Sequence, residues 1–218
     1  MPDISTINGV DITTLASFGG VAFADGQTLD GQNVALSTDA HTLISTQTAS
    51  SSSSLSFTSG IDSTYDVYEW HFINLHPNPS FTPLTFQVNA VGQSGFNEVM
   101  TTTWFQAYHD ETGSYTGLSY YSIYDQAQGT AYHRIANNTG TGNDQSISGI
   151  LRLYAPSDTS NVKHFNTVTN EYQVSSYSMN VFTAGYINTT SAIDEIDFKM
   201  ASGNIEAGEI RMYGVATS

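Results

Sequence analysis

One stretch, residues 65–75, constrains the fold more than any other part of the chain. It reads Tyr65-Asp-Val-Tyr-Glu-Trp-His-Phe-Ile-Asn-Leu75 and is the densest aromatic run in the protein. In an extended chain Tyr68, Trp70 and Phe72 fall on one face, and the alternate residues from Tyr65 to Ile73 fall on the other. Such alternation, rich in aromatic and β-branched residues, is typical of a strand. Because both faces carry large side chains, we expect a central strand with one face in the core and the other partly covered.

Further runs with strand character follow this one and are separated by turn residues. They lie at 54–58, 84–90, 97–108, 131–135, 145–154, 162–169, 176–187, 193–200 and 209–215. No stretch of ten or more residues has the 3.6-residue period of a helix. The pattern predicts an all-β fold, a Greek-key or jelly-roll-like β-sandwich preceded by an extended N-terminal arm.

The domain boundary is predicted at the serine run Ser50–Ser54. Residues 1–50 would then form a docking arm and linker, and residues 51–218 the sandwich. The segment His41-Thr-Leu-Ile-Ser-Thr46 leaves an alternative open, because Leu43 and Ile44 could instead add a strand to the main sheet.

The charge of the chain excludes several classes of partner. The 218 residues include 20 acidic and 5 basic side chains, for a net charge of −15. Such a field repels phosphate backbones and anionic membrane surfaces, so neither nucleic acid nor membrane is an expected partner. There is no cysteine for a disulfide or a thiolate metal site. We expect no membrane-spanning segment and no signal peptide, and therefore synthesis in the cytoplasm.

The N-terminal segment contains a short repeat. Ile4-Ser-Thr-Ile-Asn-Gly-Val10 is echoed eleven residues later by Leu15-Ala-Ser-Phe-Gly-Gly-Val21. Such a unit cannot bury its apolar side alone. It is either an ordinary tail or an arm that docks on another subunit, and we favour the arm. The predicted partner-binding residues are Ile4, Ile7, Val10, Leu15, Phe18 and Val21.

The acidic clusters give little support to catalysis or metal binding. In His109-Asp-Glu111 the first two residues point to opposite faces of an extended chain, so they cannot readily share a metal ion. Apolar residues interleave with Asp194, Glu195 and Asp197, which are therefore expected to face solvent. We predict no catalytic residue, no metal ligand and no cofactor.

Two loop-like stretches allow more than one interpretation. Residues 137–144, Asn-Asn-Thr-Gly-Thr-Gly-Asn-Asp, offer calcium-type oxygens but only one carboxylate, so a hairpin or Ω-loop is favoured. A second stretch carries four tyrosines that could stack on sugars, form a subunit interface or pack locally. These tyrosines are Tyr115, Tyr120, Tyr121 and Tyr124.

Three phrases of the sequence resemble virion structural proteins of tailed phages, many of them from phages of aquatic bacteria. The phrases are Ser59-Gly-Ile-Asp-Ser-Thr-Tyr-Asp-Val-Tyr68, Ala107-Tyr-His-Asp-Glu111 and Ser202-Gly-Asn-Ile-Glu-Ala-Gly-Glu-Ile-Arg-Met-Tyr-Gly-Val215. The resemblance covers most of the chain from about residue 53, and the N-terminal repeat is similar to those that such proteins carry. It implies a capsid decoration protein, a neck or tail appendage, or a fibre.

The sequence thus leaves three hypotheses from different classes. The favoured one is a non-enzymatic, oligomeric component of a virion that binds other capsid or tail subunits through its arm. The alternative is a carbohydrate-binding module that recognises host-surface glycans through the tyrosine stretch. A glycan hydrolase is the weakest of the three, because no residue pair stands out as its acid and base.

Overall fold

The structure, a computed structural model, describes residues 41–215 continuously and six residue pairs before them. Contacts divide the chain into two units, Met1–Ala40 and His41–Ser218.

The N-terminal unit contains three antiparallel pairs of two-residue strands. They are β1 (Thr6–Ile7) with β2 (Val10–Asp11), β3 (Ser17–Phe18) with β4 (Val21–Ala22), and β5 (Thr28–Leu29) with β6 (Gln32–Asn33). The pairs begin at residues 6, 17 and 28, so the repeat has a period of eleven. The dipeptides between the paired strands are Asn-Gly, Gly-Gly and Asp-Gly, which favour two-residue hairpins.

The third hairpin shows that the repeat has one copy more than the sequence analysis recognised. It was missed because Gln32 stands where the first two copies carry Val10 and Val21. Four predicted arm residues, Ile7, Val10, Phe18 and Val21, lie in the short strands, whereas Ile4 and Leu15 lie outside the described residues. Partner binding by these residues stays a prediction.

The second unit is built from antiparallel strands. They are β7 (His41–Thr48), β8 (Leu55–Phe57), β9 (Val67–Asn78), β10 (Leu84–Ala90), β11 (Met100–Asp110), β12 (Thr116–Tyr120), β13 (Ala127–Gly129), β14 (His133–Arg134), β15 (Ile147–Tyr154), β16 (Lys163–Gln173), β17 (Tyr177–Ile187), β18 (Ile193–Met200) and β19 (Asn204–Val215). The described residues contain no α-helix, only a 3-10 turn at Ser122–Tyr124. None of their helical structure is long and apolar enough to cross a membrane.

Two sheets form the sandwich. The large sheet has the order β12-β11-β17-β16-β15-β9-β19-β7, with β13 also paired to β11, and the small sheet has the order β14-β10-β18-β8. Many neighbours, such as β9 and β19, are far apart in sequence, as in Greek-key folds. The predicted all-β sandwich is confirmed, and β9 is a central strand because it lies between β15 and β19.

The structure differs from the sequence analysis at two strands. The segment 41–48, placed in the linker with a strand of the main sheet left open as the alternative, is the strand β7 and pairs with β19 along its length. The second unit therefore begins at His41 rather than at residue 51. The tyrosine stretch, expected to be a loop, contains the edge strand β12. The strand was hard to recognise in the sequence because its large residues, Leu118 and Tyr120, do not face the core. They point outward from the edge of the sheet and are 74% and 59% exposed.

The main core lies between the two sheets and is rich in aromatic rings. Trp70 and Phe72 of β9 are buried, as predicted, and both contact Phe198 of the small sheet, at centroid distances of 6.3 and 5.2 Å. Phe86 and Phe165 join the sheets in the same way at 4.9 Å. Such edge and tilted contacts between rings add to the area they bury.

A second, smaller core covers the part of the large sheet that β11 and β17 form. It consists of Trp104, Met179 and Val181. Tyr121 and Tyr124 pack against it, and both belong to a segment, residues 121–139, that we call the roof. The roof also places the Arg134 guanidinium 4.0 Å from the Tyr124 ring centroid. The roof, which consists of loop residues, the 3-10 turn and the short strands β13 and β14, therefore covers this core as the longer strands of the small sheet cover the main core.

Candidate functional site

The solvent-facing side of the large sheet, its outer face, carries a continuous row of mostly apolar side chains. Cross-strand partners place the members side by side. The row runs Tyr120, Phe105, Phe182, Val168, Ile150 and His71, on β12, β11, β17, β16, β15 and β9. These residues alternate along their strands with core residues such as Trp104 and Trp70, so they point outward. We call this set the outer row.

The outer row is large enough to bind another molecule. Its six strands, spaced about 4.8 Å apart, extend over roughly 24 Å. Phe105 and Phe182 stack with centroids 4.9 Å apart and an interplanar angle of 9°. Phe105 and Val168 remain 38% and 42% exposed. A flat, partly exposed aromatic surface of this kind suits stacking against sugar rings or burial against a protein.

A shallow groove, mostly apolar but with polar groups along it, runs beside the outer row on the same face. It is lined by Thr103, Tyr154, His164, Asn166 and Tyr186, among others. Hydroxyl, amide and imidazole groups thus lie next to exposed apolar rings. That combination provides hydrogen bonds for orientation beside an apolar contact surface.

The four tyrosines singled out in the sequence do not form one surface. Tyr120 pairs with Phe105 and joins the outer row, whereas Tyr121 and Tyr124 pack on Trp104 on the opposite side of the sheet. Tyr115 is 64% exposed and precedes β12, so about 16 Å of extended chain separates it from Tyr120. Only Tyr120 is thus placed to act together with the outer row.

A cluster of two histidines and one glutamate lies at the other end of this face. Glu69 and His71 belong to β9 and His41 to β7, and their nearest ligand atoms all lie within 4.8 Å of one another. The Nε2 atoms of His41 and His71 lie 3.0 and 2.8 Å from the same oxygen, Glu69 Oε2. Arg152 Nε of β15 donates to the other oxygen, Oε1, at 2.5 Å. We call these three ligand-type residues the His–Glu–His cluster.

The surroundings of Glu69 keep it ionised although it is buried. Its side chain is 5% exposed, compared with 30% for His71 and 44% for His41. Burial alone would raise the pKa of Glu69, but the hydrogen bonds from His71 and Arg152 and the charges of Arg152 and His41 hold that pKa below its usual value. The ring of Tyr213 lies beside both imidazoles, with its centroid 4.7 Å from His71 and 6.1 Å from His41.

Sequence reasoning missed this cluster, although the pair Glu69 and His71 could have been recognised from their spacing. Glu69 and His71 are two residues apart on a strand, so their side chains share a face. His41 lies 28 residues before Glu69, and β19 separates the two strands that carry them. No local pattern predicts that insertion, because it depends on the pairing of distant strands.

A second buried carboxylate lies under the roof. Glu171 is 1% exposed, and its oxygens accept hydrogen bonds from Asn137 N at 2.8 Å and Thr139 Oγ1 at 2.7 Å. Burial raises the pKa of Glu171 to about 7, against the lowering effects of these bonds and of the Arg134 charge. The stretch 137–144 is therefore part interior: Thr139 is buried, while residues 141–144 are exposed.

The stretch His109-Asp-Glu111 lines a shallow pocket that also reaches Glu171, whereas the acidic residues 194–197 lie on β18 of the small sheet. His109 is exposed and Asp110 is buried, so they do point to opposite faces. The expectation that Asp197 faces solvent is wrong, because Tyr132 covers it. Asp197 is 3% exposed and accepts hydrogen bonds from Ser56 Oγ at 2.5 Å and Tyr132 Oη at 2.8 Å. It acts as a structural acceptor.

The described residues thus offer two surface features with recognisable chemistry, the outer row and the His–Glu–His cluster, both on the outer face of the large sheet. Comparisons of the chain with protein-family models, curated proteins and solved structures found no match.

Proposed function

We propose that this chain is a non-enzymatic structural component of a phage virion, a capsid decoration protein or a neck or tail appendage. Its N-terminal unit would attach the β-sandwich to the particle. The observation that carries this proposal is the repeated hairpin, which occurs three times at a period of eleven residues in a unit separate from the sandwich. The resemblance of the sequence to tailed-phage virion proteins supplies the kind of particle.

The repeat supports attachment because such small units need a partner. An isolated two-stranded hairpin is marginally stable in water, and each strand here has only two residues. Repeated units of this kind are stable when neighbours or a partner surface cover their apolar side. Ile7, Val10, Phe18 and Val21 would supply the apolar contacts to a shell subunit or to another copy of this chain.

The sandwich fits a role in binding rather than in chemistry. Of its two surface features, the outer row is apolar and suited to contact. A net charge of −15 keeps the protein away from packaged nucleic acid. We expect a closed, symmetric homo-oligomer on the particle, the usual form of repeated subunits.

An inventory of purified particles tests the proposal. Quantitative mass spectrometry of virions should find this chain at a fixed copy number, with hundreds of copies indicating the capsid and a handful indicating the neck or tail. Adding purified full-length protein and a protein lacking residues 1–40 to particles that lack the chain should then show binding of the first only. Absence of the chain from particles would exclude the proposed role.

A second function, recognition of host-surface glycans, is favoured by the outer row and by the polar groups of the groove beside it. Exposed aromatic rings next to hydroxyl and amide groups are the usual means by which proteins hold sugars. A glycan array with the full chain tests this function. Phe105→Ala should lose any signal, whereas Ile123→Ala, which removes a 79% exposed side chain outside the row, should keep it. An array without signal would leave the outer row as a protein contact.

A further inference from the structure

We propose that His41, Glu69 and His71 bind one divalent transition-metal ion, Zn²⁺ or an ion of similar preference. The site is independent of the virion role proposed above. Two imidazoles and one carboxylate form a donor set typical of zinc centres with an open fourth position. Magnesium and calcium prefer all-oxygen sites, so the donor set selects against them.

Two of the three distances within the cluster already come close to those of a bound ion. A tetrahedral zinc ion with bonds of about 2.0–2.1 Å holds its ligand atoms about 3.3 Å apart. The Nε2 atoms of His41 and His71 lie 3.0 and 2.8 Å from Glu69 Oε2, so these distances need to lengthen by only a few tenths of an ångström. The ligand atoms of the two imidazoles lie within 4.8 Å of each other, and the rings would turn to bring them to the same separation. The hydrogen-bonding proton on each Nε2 would leave when the ion takes its place.

Arg152 is placed to act as a positioning residue. Its Nε atom donates a hydrogen bond to Glu69 Oε1 at 2.5 Å, and the other carboxylate oxygen, Oε2, faces the two imidazoles. Groups that orient a ligating carboxylate in this way tune metal sites throughout proteins. The guanidinium also balances the buried charge of Glu69 while no ion is bound.

Access favours binding from solvent. His41 lies on the edge strand β7 and is the most exposed of the three ligands, so an ion can enter beside it and keep a water or another ligand in the fourth position. Arg152 and Arg211 are the cross-strand neighbours of Glu69 and His71, so coordination by the three ligands has to outweigh their repulsion of the cation. A bound ion would also join β7 to β9 across the intervening strand β19.

The test is a zinc titration of the full chain, produced without a polyhistidine tag and treated with EDTA. Calorimetry at pH 7.5 should give one Zn²⁺ per chain, and Co²⁺ should give the visible absorption of a tetrahedral centre. At a hundredfold excess of free Zn²⁺ over its Kd, linkage predicts a rise in Tm of roughly 5–10 °C. Mg²⁺ and Ca²⁺ should give no such rise.

Variants locate the ion. The double substitution His41→Ala and His71→Ala should abolish the calorimetric signal and the Tm rise, and the single substitution His41→Ala, at the exposed edge, should weaken binding at least tenfold. His164→Ala removes an exposed imidazole on the same face and should bind as the unchanged protein does. The proposal is overturned if the unchanged protein binds no Zn²⁺, or if the double variant binds it undiminished.

Discussion

Replacing Glu171 by glutamine should change how stability depends on pH. Glu171 has a folded-state pKa of about 7, above the 4.5 of an ordinary glutamate, because it is buried under the roof. The folded state therefore holds the proton more tightly than the unfolded state. The stabilisation from this proton is complete below pH 4.5 and is lost as the pH rises through 7.

The magnitude follows from the two pKa values. The gap between them is worth about 3 kcal/mol, at about 1.4 kcal/mol for each pKa unit, and about 2.5 kcal/mol of it falls between pH 5 and 8. Glutamine has no charge to bury, and its carbonyl can still accept the hydrogen bond from Asn137 N. The unchanged protein should therefore lose about 2.5 kcal/mol in free energy of unfolding from pH 5 to pH 8 through Glu171, and Glu171→Gln should not. The difference in free energy of unfolding, variant minus unchanged protein, should rise by that amount over this range.

Urea unfolding followed by tryptophan fluorescence at half-unit pH steps measures this difference. The series starts at pH 5 to stay above the isoelectric point of about 4.3. Taking the difference between the two proteins cancels other titrating groups, including buried His133, whose pKa is lowered to about 3 by burial and which acts in the opposite direction. Asp66→Asn, at an exposed position away from the pocket that Glu171 lines, controls for net charge. A difference between the Glu171→Gln and unchanged proteins that stays within about 0.5 kcal/mol over this range refutes the reasoning.

Three further predictions concern the core, the N-terminal unit and the charge. Trp70→Ala should lower the free energy of unfolding by about 3–5 kcal/mol because it empties a fully buried site, whereas Phe105→Ala on the outer face should cost less than half as much; chemical denaturation measures both, and equal losses would contradict the assigned faces. Deleting residues 1–40 should leave the Tm of the sandwich within a few degrees in calorimetry, since it removes none of the strands of the two sandwich sheets, and a large fall would make the N-terminal unit part of its stability. The full chain should pass through a DNA column at moderate salt, and retention there would contradict the effect assigned to its charge of −15.

The sequence predicted local features of the fold well. Strands β10 and β18 fall on the predicted ranges 84–90 and 193–200. The alternation of β10 is uninterrupted, and that of β18 breaks only between Ile193 and Ile196, where the pairing with β10 shifts register. The burial of Trp70 and Phe72 followed from the same pattern. Two-residue periodicity is a local property, so it can be read without knowing which strands pair.

The candidate sites were less predictable because they depend on pairing. Phe105, Phe182 and Val168 are ordinary strand residues in sequence, and only the register of three neighbouring strands places them in one row. Tyr120 and Tyr121 are adjacent in sequence, yet they serve opposite sides of the sheet. Pairing between distant strands is set by the whole core, which no short sequence pattern reports.

The position of β19 has a consequence for how the chain is made. In the described residues β7 pairs only with β19, and β8 pairs only with β18. The first two strands of the sandwich therefore cannot form their hydrogen-bonded pairs until the last two strands have been synthesised. A nascent chain therefore leaves Leu55 and Phe57 exposed until the C-terminal strands leave the ribosome, and closing such long loops is slow. The described N-terminal strands pair with near neighbours in sequence, so their pairing does not depend on the C-terminal strands. Synthesis thus completes the N-terminal unit, the proposed attachment segment, before the last strands of the sandwich are made.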